Sequence, residues 1–206
     1  MKRILGRAAA AVGSLALVGG VIAATALPAS AVTLPNGSFG AAGTGPLTFG
    51  PVAPASVGSG PALASNANAG DLLATGVIKD TATTSSATSK VSDVVVNLSG
   101  LSKLKANGVT SACYQNSFGT AVGDTDISAG TVVTIATVGY PNPQTVVLPA
   151  DPAPNTTIDI NNVADIVLNQ QTPSGTALTV NAMYITLDNS AQTLTIGSST
   201  CNSILT

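Results

Sequence analysis

The chain has 206 residues; 45% are hydrophobic, but only 3% are aromatic and 8% charged, against about a quarter charged in ordinary globular domains. It contains no His, no Glu and no Trp, which excludes Ser-His-Asp and Cys-His nucleophilic sites and leaves paired-carboxylate chemistry to Asp alone. Its seven basic residues are too few to neutralise a run of phosphates, and its nine Asp oppose an anionic membrane surface, so nucleic acid and charged lipid are excluded as partners.

The N-terminus reads as a secretory leader. Lys2, Arg3 and Arg7 form a basic start, residues 8–27 are apolar, and Pro28 precedes Ala29, Ser30 and Ala31, which place small residues at −3 and −1 of a cleavage site. Cleavage is expected after Ala31. The apolar segment is also long enough for an uncleaved anchor, but Pro28 and the small-residue site favour processing, after which no stable membrane span is expected. The exported part, residues 32–206, keeps four Lys and nine Asp, a net charge of −5. With so few charges, its surface must be covered by Thr, Ser, Asn and Gly. The chain is therefore expected to be secreted, extracellular or loosely bound to the cell surface. Cys113 and Cys201 both fall in the exported part, and an isolated pair in an oxidising compartment is expected to form one disulfide. The alternative, a redox or metal pair, lacks both a CxxC spacing and any His.

Residues 32–70 are rich in Gly, Pro, Ala and Ser. They are expected to form a flexible arm or loop with one strand, Leu47 to Val52. From Asp71 the texture changes to β-type alternation. "DLLATGVIKD" is a short apolar run, and "TSSATSKVSDVVVNLSG" rises into a strand from Val94 to Leu98. "NGVTSACY" opens on Asn107-Gly108, a turn signal, and runs into Cys113. "TVVTIATVGYPNP" predicts a strand ending at Tyr140, and "QTVVLPADPAPN" a short strand and a loop. "TTIDINNVADIVLNQQ" predicts two strands or one bent one; "TALTVNAMYITLD" and "QTLTIGSSTC" are the last two. Apart from short pieces such as "SGLSKLKANG", no segment holds a helical period. Many short strands punctuated by Gly, Pro and Asn argue for an all-β fold, an antiparallel β-sandwich over residues 71–206.

The stretch "LNQQTPSGTALTVNAMYITL" carries a phase slip. Ile166 and Leu168 share one face and Val167 the other; after a turn at residues 171–175, Leu178, Val180 and Ala182 alternate with Thr179 and Asn181. Met183, Ile185 and Leu187 then become the apolar set, opposite Tyr184 and Thr186. A period-2 pattern changes face only where a bulge intervenes or both faces are covered, so a bulge or bend is expected near residues 181–183.

This closing segment resembles the choice-of-anchor P proteins, an exported actinobacterial family. An "LNEQ"-like strand, a "VNALHV"-like strand and a glycine-plus-cysteine ending recur there; here they match Leu168–Gln171, Val180–Ile185 and Gly197–Cys201. Cys113 after "NGVTSA" is similar to the family's first cysteine, and "LLATGVIKDT" and "VSDVVVNLSGL" resemble its upstream strands. The resemblance covers roughly residues 70–201 and is structural; it implies no activity. Gln170 stands where an acidic residue is common in that family, and Tyr184 where histidine is common.

Little chemistry is legible. Asp124 and Asp126 in "GDTDISAG" could converge on a hard cation, but the remaining ligands of a Ca²⁺ loop are missing and a solvated turn is the simpler reading. Ser102 and Lys105 have the S-x-x-K spacing of some acyl enzymes without its companion motifs. Lys79 or Lys90 with Asp93 could supply an intramolecular Lys–Asn crosslink, which requires a buried Lys. Of the three tyrosines, Tyr140 beside "PNP" is the candidate for an exposed ligand platform, while Tyr114 and Tyr184 are expected in or near the core. Asn169 and Gln170 could hold a glycan or serve as side-chain ladders. Together these features predict an exported, non-enzymatic structural or adhesive protein without a cofactor, with an envelope glycan or surface protein as partner. The competing readings are a binding module and a self-associating surface component.

Overall fold

The computed structural model describes residues 35–135, 143–188 and 191–204. Residues 1–31, expected from the sequence to be a leader, and Tyr140 lie outside the described residues. Every described element is a strand: β1 Gly37–Thr44, β2 Phe49–Val52, β3 Ala55–Ser56, β4 Ala62–Ala64, β5 Asn68–Ala69, β6 Leu73–Ala74, β7 Ile78–Ala82 and β8 Ser86–Asn97. There follow β9 Lys103–Gln115, β10 Ala121–Ile127, β11 Val132–Ile135, β12 Gln144–Val147, β13 Thr156–Ile160, β14 Ala164–Ser174, β15 Ala177–Leu187 and β16 Thr193–Asn202.

Two antiparallel sheets pack as a sandwich. The first has the order β13-β14-β15-β16-β1-β2, with β3 also on β1. The second has the order β12-β11-β9-β8-β6-β5, with β10 on β9, β7 on β8, and β4 on β7. The all-β sandwich expected from the alternation is thus the fold, and the expected disulfide joins Cys113 of the second sheet to Cys201 of the first.

The strand boundaries expected from the sequence differ from the structure at several places. The Gly/Pro/Ala-rich stretch holds five strands rather than one, and β1 lies between β16 and β2 inside the first sheet. β1 reads GSFGAAGT and lacks the β-branched signature because its small residues are needed for close approach: a Cβ on Gly40 would lie 2.3 Å from Ile78 Cγ2, and one on Gly43 2.3 Å from Phe49. Asn107-Gly108 is not a turn but sits inside β9. The hairpin between β14 and β15 is tighter than residues 171–175, since pairing continues to Ser174 opposite Ala177.

The expected break in alternation is present, but no residue is inserted. Along β15 the buried set passes from Val180 and Ala182 to Met183 and Ile185, while the register to β14 is the same at Gln170 opposite Asn181 and at Leu168 opposite Met183. The same constancy holds from β15 to β16 and from β16 to β1, so Asn169, Ala182, Gly197 and Gly40 form one line across the sheet. Asn169 and Gly197, on alternate strands, have φ of 48° and 63°. A left-handed residue in an extended strand interrupts the pleat, and if every neighbour changes face at the same level, pairing survives. The second sheet repeats the device where Asp93, at φ 50°, faces Asn107. Asn and Asp tolerate this conformation better than other side chains.

The two lines cross the interior without dividing its main cluster. On one side lie Leu73, Val94, Val96, Leu104, Ile166, Leu168, Met183, Ile185, Leu194 and Ile196, all essentially inaccessible. Each such side chain contributes roughly 1.5–3 kcal/mol on burial. Ile78, Val91, Val109 and Ile127, beyond the Asp93–Asn107 line, belong to the same large cluster, and a separate small cluster packs Val180 beside the Cys113–Cys201 bridge. Between them the second sheet carries a row of interior polar residues, one per strand in register: Asp80, Ser89, Ser111 and Thr125.

Candidate functional site

The residues singled out in the sequence do not assemble into one site. Asn169 is buried; its Nδ2 donates to Pro152 O at 2.9 Å, its Oδ1 accepts from Gln171 Nε2 at 3.1 Å, and its carbonyl accepts from Asn155 N. It fastens the segment before β13 to the sheet. Gln170 Oε1 accepts from Asn181 Nδ2 across the strand pair at 2.8 Å, the ladder arrangement rather than a free donor set. The outer face of this sheet continues as ladders, with Thr179 and Thr200 hydroxyls 2.9 Å apart and those of Thr44 and Thr193 2.6 Å apart. Such ladders supply the surface polarity that the sparse charges leave wanting.

Asp124 and Asp126 lie exposed on β10, not on a turn, and share a surface hollow with Asp151. Among the described residues no set of three or more acidic or cysteine side chains is placed to hold a metal ion. Ser102 is buried and Lys105 exposed, on a turn and an extended strand, so the helical S-x-x-K geometry does not form. Lys79 and Lys90 are exposed register partners on the outer face, and Asp93 is exposed too, so the buried lysine of an internal crosslink is not provided. Tyr184 is half-buried, whereas Tyr114 is 46% exposed and does not join the core. Among the described residues no helix is long and apolar enough to cross a membrane.

A feature the sequence did not advertise lies at the disulfide end of the sandwich. Five segments meet there: the chain before β1, the β7–β8 and β9–β10 turns, the β14–β15 hairpin, and the residues after β16. Asn36 Nδ2 donates to Thr83 O at 2.9 Å, and Asn36 Oδ1 accepts from Asn202 N at 3.0 Å. Gln115 Nε2 donates to Asn202 O at 2.7 Å, and Ser203 Oγ accepts from Ala121 N at 2.9 Å. The Ile204 amide donates to Gly119 O, and the Ser203 amide to Thr176 O, both at 2.8 Å. The Asn116 side chain shapes the β9–β10 turn by accepting from the amides of Phe118 and Thr120, each at 3.0 Å.

This stitched end holds Phe118 outward, 84% exposed, with Ile204 at 58% beside Gly119. No charged residue occurs in the segments 35–36, 83–86, 114–121, 175–176 or 202–204. The clue in the sequence was "YQNSFGT", a turn in which an aromatic residue occupies a position where polar residues are usual.

The interior polar row is the second unusual feature. Ser111 and Ser199 bond across the sheets, but Ser89 Oγ, Thr125 Oγ1 and both carboxylate oxygens of Asp80 have no hydrogen-bond partner among the described residues. Asp80 is 0% exposed. Burial pushes its carboxyl up to about 7; the Ser89 hydroxyl and the Gly40 amide lie toward it and pull the other way, without the alignment of a good hydrogen bond.

No family model, no curated protein and no solved structure matches this chain.

Proposed function

We propose that this chain is an exported, non-enzymatic adhesive or structural protein of the cell envelope or extracellular matrix, and that it holds its partner by the charge-free end around Phe118. The observation that carries this reading is the outward display of Phe118 on a hydrogen-bonded turn. An aromatic ring left in water gains nothing for folding, while a pre-ordered one loses little freedom on binding and suits an anchor role. The absence of charge around it suits an uncharged surface, a protein or a neutral glycan. The disulfide beside this end supports a location in an oxidising compartment, and the leader read in residues 1–31 supplies the route. The family resemblance in the closing strands is consistent with export and brings no activity. Self-association by strand addition is less favoured, because the sheet ends β2, β5, β12 and β13 have only 4, 2, 4 and 5 residues, and the seven-residue edge β10 presents the exposed carboxylates of Asp124 and Asp126.

The test is sedimentation of the oxidised exported chain, alone and with washed envelopes of its producer, for the wild type and Phe118→Ser. Pelleting that requires envelopes and is lost in the variant supports the reading. Competition by added sugars then assigns the partner as glycan. Pelleting without envelopes replaces the reading by self-association, and a wild type that stays soluble in both conditions removes it.

A further inference from the structure

Asp80 lies in a seam where the two sheets meet edge to face. β1 of the first sheet and β7 of the second run past each other, and three contacts close them: Asn36 Nδ2 donates to Thr83 O at 2.9 Å, Ser38 Oγ donates to Thr81 O at 3.1 Å, and Gly40 packs on Ile78 closely enough that a Cβ would overlap it. Asp80 falls between the second and third of these, fully enclosed, with both oxygens unpartnered among the described residues.

No cation faces it, and only the Ser89 hydroxyl and the Gly40 amide lie toward it, without the alignment of a good hydrogen bond. β1, β3 and β4, which pack on or pair with β7, contain no titratable side chain. β8 contributes Ser89 opposite Asp80, while its Lys90 and the Lys79 of β7 are exposed on the outer face. Asp93 of β8 is exposed as well, beyond the line where alternation breaks. A carboxylate enclosed without a cation or a well-aligned donor must either keep its proton or admit water. Separating β7 from β1 would open a path for water, because side-chain contacts alone join these two strands, whereas β7 is paired to β8 through five residues and to β4 through three.

We propose that Asp80 is a proton-operated latch between the two sheets: as the neutral acid it lets β7 close on β1, and as the anion it drives these two strands apart while the rest of the sandwich stays folded. The direction in which burial moves its ionisation places this change near neutral pH. The seam also reaches Asn36, one of the segments that build the charge-free end.

The experiment is amide hydrogen exchange on the oxidised protein, expressed as protection factors at pH 5.5 and pH 8.5, for the wild type, Asp80→Asn and Asp80→Ser. The latch predicts that protection in β1 and β7 falls at least tenfold between the two pH values in the wild type, while β14 and β15 keep theirs, and that both neutral variants show no such local loss. A carbon-detected titration of the Asp80 carboxyl should have its midpoint within about one unit of neutrality. The latch is overturned if β1 and β7 keep their protection, if β14 and β15 lose protection in parallel, or if the neutral variants lose it equally. A carboxyl midpoint below pH 5 would overturn it as well, and this measurement needs no variant to fold.

Discussion

Ser111 of the second sheet and Ser199 of the first meet with their hydroxyl oxygens 2.7 Å apart, and Ser199 Oγ also donates to Ser111 O at 3.0 Å. Both residues are 0% exposed, so this pair bonds the two sheets through the interior rather than around its rim. It completes one position of the polar row whose other members, Asp80, Ser89 and Thr125, have unpartnered oxygens.

Removing one hydroxyl should therefore cost more than removing both in proportion. Ser199→Ala leaves the Ser111 hydroxyl and carbonyl buried without their partner and should destabilise the fold by about 1–3 kcal/mol. The double change Ser111→Ala with Ser199→Ala should cost less than the sum of the singles. Urea unfolding of the three variants measures the coupling, and strict additivity would show that the pair does not act as a unit.

The Cys113–Cys201 bridge closes a span of 88 residues. On the chain-entropy account, replacing both cysteines by Ala should cost roughly 3–5 kcal/mol, with the loss appearing mainly through the unfolded chain. The check is the midpoint and slope of urea unfolding for the oxidised, reduced and Ala-substituted forms. A reduced form as stable as the oxidised one would contradict the expectation.

Asp80 gives the whole molecule an unusual pH dependence. Its folded value, about 7, lies above its unfolded value near 3.8, so the folded state holds a proton that the unfolded chain has released. Below pH 3.8 both states are protonated and Asp80 has no effect. Between about 4 and 7 stability should fall as pH rises, and above 7 the full cost, on the order of 4 kcal/mol as an upper bound, should remain. Subtracting the pH profile of Asp80→Asn from that of the wild type isolates this contribution. A flat difference across pH 4 to 7 would remove it.

Gly40 should not tolerate a side chain. A Cβ there would lie 2.3, 2.9 and 3.0 Å from three carbons of Ile78, which is itself fully buried. Gly40→Ala is expected to cost about 1–3 kcal/mol by overpacking. Adding Ile78→Ala, which removes all three of those carbons, should make the Gly40→Ala step nearly neutral in that background. Thermal melts of the four members of this cycle decide it.

The class of the fold was legible along the chain, because alternation and turn residues are local properties. The runs in β14, β15 and β16 announced strands, and the apolar set of β15 changed parity near residues 181–183, where the structure changes face. Cys113 and Cys201 were legible as a pair because no competing thiol or His exists. Which distant residues share a level of the interior depends on how the two sheets pack, and no local pattern carries it. Asn107-Gly108 carries a hairpin signal, yet pairing with β8 keeps the chain extended through it. β1 looked like loop because its fitness depends on Ile78 and Phe49, which lie elsewhere in the chain. Neither the burial of Asp80 nor the exposure of Phe118 could be read from the residues beside them in the chain. Burial belongs to the packed arrangement of both sheets, and alternation along one strand cannot say which face will be covered.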